Sequence, residues 1–483
     1  MHLSTVQRIL GVLLMLFSLT MLPPLLFSLW VDDGALVGFT DAFILTFGLG
    51  LGIWLPVRYR RQDLRVRDGF LVVVMFWTVL GLTGSLPFLL AENSNMGITD
   101  AVFESVSGLT TTGATVIVGI DELPTSILYY RQQLQWLGGM GIIVLAVAVL
   151  PMLGIGGMQL YRAETPGPVK DNKLTPRITE TAKALWYIYL GLTISCMLAY
   201  WLGGMELFDA LGHAFSTVAI GGFSTHDESI GYYDSRVIEM IAVVFMLLSG
   251  ANFALHFLAV RRRSLRIYFE DAEFRGYIVT LGIVFLLVST ALYLMGVYST
   301  WDESIMRGLF QAVSIGTTTG FTTADYSLWP GFISILLLFS SFVGGCAGST
   351  GGGIKVIRFL LLIKQGVREI NRLIHPNAEI PIRIGGKTIP WRVVEAVWGF
   401  FALYVASFGV MYLALASTGL DLMTSFSAVA ASINNLGPGL GDVGLHYATL
   451  NDPAKWILCF AMLLGRLEIF TLLVLLTPAF WRK

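Results

Sequence analysis

The feature that most constrains the fold is a series of long apolar stretches that recur along the whole chain. A helix that crosses a bilayer needs about 20 mostly apolar residues, and the stretches 69–90, 276–297 and 331–354 contain no charged residue. Apolar residues make up 55% of the 483 residues and charged residues only 13%, which excludes a soluble globular protein. We predict an all-α polytopic membrane protein with ten spans. These spans are 9–30, 39–57, 69–90, 126–150, 184–203, 237–260, 276–297, 331–363, 393–418 and 456–479.

The distribution of positive charge predicts the orientation in the membrane. All but five of the 31 Lys and Arg residues lie in the two terminal segments or in the loops near 55–68, 155–183, 261–275 and 355–392. The positive-inside rule assigns these segments to the cytoplasm, so both termini are expected there. Four exceptions fall on the opposite face, and Arg466 alone lies within an apolar stretch. The four are Arg131, Arg236, Arg307 and Lys455.

Four short segments between the long apolar stretches align without gaps. They are SVSGLTTTGAT at 105–115, AFSTVAIGGFS at 214–224, AVSIGTTTGFT at 312–322 and VAASINNLGPG at 429–439. The aligned glycines are Gly113, Gly222, Gly320 and Gly437, and a half-length apolar stretch, too short to span, precedes each. Internal repeats of this kind indicate one structural unit used several times. We predict four non-identical helix, pore-loop, helix repeats around a pseudo-fourfold central pore.

A second set of glycines supports this division. Gly139, Gly250, Gly345 and Gly465 follow the first set by 26, 28, 25 and 28 residues. Eight of the ten spans then belong to the repeats, and the first two form an extra N-terminal pair. The predicted boundaries are 1–66 for this pair, 67–154 for repeat 1, 180–262 for repeat 2, 272–368 for repeat 3 and 388–483 for repeat 4.

Non-helical backbone at membrane depth persists only where it is buried in protein or lines a watery cavity. Rings of backbone carbonyls can replace the hydration shell of K+, and glycine permits the dihedral angles that direct consecutive carbonyls to one axis. We therefore predict a K+ selectivity filter formed by the last residues of the four aligned segments, called the filter segments below. They are Thr110, Thr111, Thr112, Gly113, Ala219, Ile220, Gly221, Gly222, Thr317, Thr318, Thr319, Gly320, Asn434, Asn435, Leu436 and Gly437.

The eighth stretch is interrupted by six glycines in ten residues, which a helix does not tolerate. We predict an intramembrane gating loop here, and the alternative is a close helix-packing surface made of small residues. Arg466 is the second predicted gate element, either as a positive barrier below the filter and an anchor of the loop or in an ion pair with a neighbouring helix, for example with Glu395. The gating loop consists of Gly344, Gly345, Cys346, Ala347, Gly348, Ser349, Thr350, Gly351, Gly352 and Gly353.

These repeats, the filter segments and the extra N-terminal pair resemble the Trk/Ktr/HKT superfamily of potassium transporters. The resemblance implies potassium uptake across the bacterial inner membrane through a single-chain, gated pore. It also implies a homodimer in contact with membrane lipid and a cytosolic, nucleotide-binding regulatory ring of the TrkA type. The basic loop 355–392, with eight Lys or Arg residues, is a candidate docking surface for such a regulator.

Other classes fit the sequence less well. An ion-coupled secondary transporter, a K+/H+ or K+/Na+ symporter, also uses broken helices at the membrane midplane, but such folds usually have two inverted halves. The sequence lacks HExxH and GxSxG motifs, so we do not expect an enzyme. The residues before Lys387 lack the first glycine that a phosphate-binding loop requires, so we expect no nucleotide site. We expect K+ as the transported ion and no nucleic-acid partner.

Overall fold

The structure, a computed structural model, describes residues 1–60, 65–91, 96–141 and 178–482. Within these residues, six helices are long and apolar enough to cross a membrane, or up to eight if each of two bent pairs is one span. The only strands there, Arg383–Ile384 and Lys387–Thr388, form a small antiparallel hairpin. The predicted all-α, multi-pass membrane fold is confirmed. Our predictions for residues 142–177, which include the end of repeat 1, lie outside the described part.

The N-terminal helices pack closely through small residues. A Cβ atom on Gly11 would lie 2.7 Å from the carbonyl oxygen of Gly50, and one on Gly50 would lie 2.9 Å from the carbonyl oxygen of Gly11. Such close backbone approach is a common way to associate helices in lipid. The helices of this part are α1 (Leu3–Ser18), α2 (Leu22–Val31) and α3 (Leu36–Trp54).

The first two aligned segments lie between the next helices. Each follows a half-length helix, Ile98–Leu109 in the first case and Leu207–Ala219 in the second. The helices are α4 (Val66–Thr83), α5 (Leu86–Leu90), α6 (Ile98–Leu109), α7 (Thr125–Gly139), α8 (Ile178–Leu202), α9 (Leu207–Ala219), α10 (Arg236–Ser249), α11 (Phe253–Arg262) and α12 (Arg266–Glu270).

The third and fourth aligned segments follow the short helices Trp301–Gly316 and Leu422–Ile433 in the same way. Side chains at the N-caps fix the starts of both short helices, because Thr300 accepts a hydrogen bond from the Glu303 amide and Asp421 accepts from the Thr424 amide. The helices are α13 (Ala272–Leu294), α14 (Trp301–Gly316), α15 (Gly331–Val343), α16 (Val356–Ile374), α17 (Trp391–Ala416), α18 (Leu422–Ile433), α19 (Asp452–Arg466), α20 (Phe470–Leu476) and α21 (Pro478–Trp481).

Two of the predicted spans, 237–260 and 456–479, are not continuous helices. The first bends by 94° between α10 and α11, and the second by 117° between α19 and α20. Both breaks lie at or next to glycines of the second aligned set. A Cβ atom on Gly250 would lie 2.3 Å from the Tyr277 hydroxyl, and one on Gly465 would lie 2.1 Å from the Ile433 carbonyl oxygen. Close packing at these glycines coincides with the helix ends.

The other two second-set glycines also lie at helix ends. Helix α7 ends at Gly139, and α15 ends at Val343, just before Gly345. Span 331–363 is interrupted as predicted, since residues 344–355 separate α15 from α16. The prediction of one continuous span over 456–479 is wrong at Arg466, because Arg466 is the last residue of α19.

Candidate ion pathway

The four filter segments share one unusual backbone conformation. The second residue of each has a positive φ, 56° at Thr111, 54° at Ile220, 68° at Thr318 and 52° at Asn435. The glycine two residues later also has a positive φ, between 79° and 96°. Positive φ is strongly disfavoured for β-branched residues such as Thr and Ile. Its recurrence at equivalent positions indicates a strained conformation that the surroundings maintain, as is common at functional sites.

The filter segments meet in a closed ring. A Cβ atom on each filter glycine would lie 2.0–2.7 Å from the carbonyl oxygen of the residue that precedes the glycine in the next segment. The first segment contacts the second, the second contacts the third, the third contacts the fourth, and the fourth contacts the first. The pairs are Gly113 with Gly221, Gly222 with Thr319, Gly320 with Leu436, and Gly437 with Thr112. Only glycine fits there, for space as well as for φ.

The four half-length helices end at this ring. The filter segments follow directly at the C-termini of α6, α9, α14 and α18, so four helix dipoles present their negative ends to the same place. The C-terminus of a helix carries roughly half a negative charge. The ring therefore combines backbone carbonyls with a negative potential, which favours a cation over an anion.

The threonine hydroxyls of the first and third segments have defined partners. Thr110 and Thr112 are hydrogen bonded to each other at 2.8 Å, and Thr317 and Thr319 at 2.7 Å. These pairs fix the side chains beside the glycines. The hydroxyl of Thr111 instead accepts a hydrogen bond from Arg466, as described below.

Behind the first segment lies a buried ion pair. Glu104, fully buried in α6, accepts hydrogen bonds from the Val116 amide at 3.0 Å and from the Arg131 side chain at 2.8 Å. Arg131 also donates to the Ser224 carbonyl at 3.1 Å and so joins the first loop to the second. Because both charges are buried and hydrogen bonded, removing either partner leaves a costly unpaired charge.

Equivalent positions in the next two short helices brace their own loops. His213 is hydrogen bonded to the Ser224 hydroxyl at 2.9 Å, and Gln311 donates to the Ala324 carbonyl at 3.1 Å. Glu104, His213 and Gln311, each nine residues before a filter glycine, are thus each hydrogen bonded to the loop that follows their own helix. Sequence reasoning missed Gln135, which donates to the Gly221 carbonyl at 2.6 Å, because nothing in the sequence pairs α7 with the second loop.

The fourth segment has asparagines where the first and third segments have threonines, and hydrogen bonds of these asparagine side chains hold it in place. Asn435 donates to the Thr112 hydroxyl and to the Met462 carbonyl, each at 3.0 Å. The Asn434 side-chain oxygen accepts a hydrogen bond from the Tyr404 hydroxyl at 2.5 Å. The amide side chains therefore bind protein atoms, and the backbone is what this segment contributes to the ring.

The gating loop lies directly against the filter segments. The Gly352 amide donates to the Thr318 hydroxyl at 2.7 Å, and the Gly353 amide donates to the Asn434 carbonyl at 3.1 Å. The Thr350 hydroxyl donates to the Val218 carbonyl at 2.9 Å. The loop thus contacts the end of α9, directly before the second filter segment, as well as the third and fourth filter segments. A Cβ atom on Gly352 would lie 1.9 Å from the Asn434 oxygen, so the contact needs glycine.

Arg466 completes the contact on the side of the first segment. Its guanidinium donates to the Thr111 hydroxyl at 3.0 Å, to the Thr350 carbonyl at 3.1 Å and to the Gly138 carbonyl at 2.6 Å. One side chain therefore joins the first filter segment, the gating loop and the end of α7. Glu395, the suggested ion-pair partner, is exposed.

Two further cations near the gate were missed from the sequence. Buried Lys355 donates from its ammonium group to the Gly351 carbonyl. Arg358 forms an ion pair with Glu468, two residues beyond Arg466, and its guanidinium lies 4.3 Å from the centre of the Phe400 ring. The available signal was their position directly after the glycine run.

The four cations that break the positive-inside pattern are all neutralised by carboxylates. This pairing, buried for Arg131 and exposed for Arg236, explains why a basic residue can lie on the predicted outer face without repelling cations there. The pairs are Arg131 with Glu104, Arg236 with Asp302, Arg307 with Glu239, and Lys455 with Asp100.

Comparisons with known proteins place the chain among bacterial transporters. The sequence model of the TrkH family, described as a cation transport protein, matches residues 36–483. The Trk system potassium uptake protein TrkH of Vibrio parahaemolyticus is 60% identical over 100% of both chains, and the proteins of that name from Halomonas elongata and Escherichia coli are 58% and 56% identical, also over the full length of both chains.

A solved structure agrees with these sequence matches. The crystal structure of the potassium transporter TrkH from Vibrio parahaemolyticus superimposes with a TM-score of 0.91 at 57% identity, and the match covers 100% of each chain. At this identity and coverage the likeness extends well beyond general fold. The chain belongs to the TrkH family of cation transport proteins.

Proposed function

We propose that this chain takes up potassium ions across the bacterial inner membrane through a gated, selective pore. The observation that carries the proposal is the closed ring of four filter glycines, each packed against a carbonyl of the next segment. The relatives with up to 60% identity over full length are named potassium uptake proteins. K+ is the transported ion in this proposal, and transport rather than an enzymatic reaction is the activity.

The sixteen residues of the filter segments form the selectivity filter in this proposal. Backbone carbonyls replace water around the ion. The Gly221 carbonyl already accepts a hydrogen bond from Gln135, and the Gly437 carbonyl accepts one from Tyr447 at 2.7 Å. Side chains outside the filter segments therefore hold the backbone of the second and fourth segments in place. Four repeats with the boundaries predicted above supply one segment each.

The gating loop and Arg466 close the path on the cytoplasmic side of the filter. Their mutual contacts support this role, because the loop backbone and the Arg466 guanidinium both contact the filter segments themselves. A fixed positive charge at this place raises the energy of a cation that leaves the filter. Opening requires the loop to move away and Arg466 to lose its bond to the Thr350 carbonyl.

The proposed setting follows from the charge distribution and the family. Both termini lie in the cytoplasm, and two copies form a dimer surrounded by lipid. A cytosolic nucleotide-binding ring of the TrkA type docks on the basic segment 355–392, so nucleotides act on the partner and not on this chain. Arg383, Lys387 and Arg392 are exposed in that segment and are accessible to an acidic partner.

Flux measurements on the purified protein in proteoliposomes test the proposal. We expect K+ influx down its gradient that exceeds Na+ influx, with no proton or sodium movement in fixed proportion to K+. Equal K+ and Na+ influx would contradict the filter assignment. Strict coupling of K+ to H+ or Na+ would instead favour the symporter alternative, in which the ring is a binding site rather than a pore.

A further inference from the structure

We propose that Glu273 is a positioning residue that latches the gating loop in its closed conformation. The inference rests on the proposed function, since it assigns a mechanical role within the same gate. Glu273 lies in the first turn of α13, outside the filter segments and outside the gate elements that the sequence singled out. Its side chain is only 9% exposed, although it is a carboxylate.

One oxygen of Glu273 binds both the gating loop and the start of the helix that follows it. Oε1 accepts a hydrogen bond from the Ala347 amide at 2.7 Å and another from the Ile357 amide at 3.2 Å. Ala347 lies near the start of the loop, and Ile357 lies just after its end, in the first turn of α16. The first half of the loop and the first turn of α16 are thus joined through a side chain that belongs to neither.

The Ile357 amide needs such a partner because α16 has no N-cap of its own. The first amides of a helix lack acceptors within the helix. Lys355, which occupies the N-cap position, has a φ of 82° and makes no side-chain cap hydrogen bond. Glu273 supplies the acceptor from a different helix, and its negative charge suits the positive end of the α16 dipole. A local cap would persist in every state of the loop, whereas this one persists only in the closed state.

Glu273 holds a different side of the loop from Arg466. The contacts of Thr350 and Gly352 lie on the filter side of the loop, while Glu273 binds Ala347 and the start of α16. A displacement of α16 would therefore separate Ile357 from the carboxylate and leave Ala347 with one of the two bonds that hold this side of the loop. The latch couples the position of the cytoplasmic helix to the conformation of the loop.

Cys346 provides a reporter that is independent of transport. The Cys346 thiol is buried and directly precedes Ala347 in the chain. For the experiment, the other two cysteines, Cys196 and Cys459, are replaced by alanine. The rate at which a membrane-impermeant maleimide labels Cys346 from the cytoplasmic side measures loop release. Replacing Glu273 by Ala removes both hydrogen bonds, and we expect labelling to become about tenfold faster, with faster K+ influx and an unchanged K+ to Na+ ratio.

Two variants and one control decide the outcome. Glu273→Asp keeps the charge but shortens the side chain, so its labelling and influx should resemble those of Glu273→Ala. This second variant shows whether the effect of Glu273→Ala comes from a folding defect. Glu270→Ala removes an exposed glutamate of the preceding helix, paired with Arg266, and should behave as the parent protein. Labelling and influx at parental values in both Glu273 variants, or a changed K+ to Na+ ratio, would overturn the latch. If the parent conducts no K+, the proposed function fails, but labelling still tests the latch.

Discussion

The filter segments and the gating loop both depend on glycine, but their surroundings differ. Each filter segment continues from its own short helix, and braces such as His213 and Gln311 come from that same helix. The gating loop has its anchors on other parts of the chain, including Thr318, Asn434 and Arg466. The filter segments are therefore held in one conformation, whereas the contacts of the gating loop can break without unfolding a helix.

The largest effect is expected from Gly113→Ala in the filter. A φ of 81° costs alanine about 1–2 kcal/mol, and the new Cβ atom would lie 2.0 Å from the Gly221 oxygen. The ratio of K+ to Na+ influx in proteoliposomes should fall about tenfold or more. Gly48→Ala in α3, where a Cβ atom meets nothing within 4 Å, is the matched control. An unchanged ratio in Gly113→Ala would remove this residue from the filter.

Gly352→Ala tests the same chemistry in the loop. The Cβ atom would lie 1.9 Å from the Asn434 oxygen, so the loop cannot stay seated below the filter. We expect K+ influx to rise about fivefold while the K+ to Na+ ratio stays at the wild-type value. Gly366→Ala in α16, with open space at the Cβ position, should change neither quantity. A loss of selectivity in Gly352→Ala would show that loop and filter are not separable.

Arg466 variants separate an electrostatic barrier from an anchor. Arg466→Gln removes the charge, whereas Arg466→Lys keeps it but cannot reproduce the forked donors that reach Thr111, Thr350 and Gly138 together. We expect both variants to raise K+ influx by about threefold, because the anchor is the larger contribution. Wild-type influx in Arg466→Lys with raised influx in Arg466→Gln would mean that the charge alone matters.

The smallest effect is expected at the outer rim, where His226 joins two loops. His226 is hydrogen bonded to Asp121 and to Asp209. Burial by itself would lower the pKa of His226, but hydrogen bonds to and charges of the two aspartates raise it above its ordinary value. The bridge therefore contributes its full stability below the ordinary histidine pKa of about 6.5 and loses it as pH rises through the raised value.

Thermal unfolding at several pH values measures this contribution. The difference in stability between the wild type and His226→Gln should be about 1 kcal/mol or less at pH below about 6 and should vanish in alkaline buffer. His375→Gln, at an exposed position, should show no such trend. A difference that grows with pH would have the wrong sign for a protonated bridge.

Sequence patterns predicted the membrane fold, the four aligned segments and the place of the gating loop. Each of these depends on a sequence pattern that has few explanations in a membrane protein. The patterns are long apolar stretches, repeated glycines and a glycine run inside a span. Gly113 could be singled out because it recurs at an aligned position in four segments, and Gly352 because it lies in a glycine run. The residues that hold these glycines in place carried no comparable signal.

Tertiary structure alone decided which distant groups meet. The bends between α10 and α11 and between α19 and α20 were not predicted, since an apolar stretch looks the same whether the helix continues or turns. Likewise, Glu273 is an ordinary polar residue at the start of a span until the fold places it against Ala347 and Ile357. Hydropathy and spacing fix what a segment can be, but a hydrogen bond between residues 74 or 84 positions apart exists only after the helices have packed.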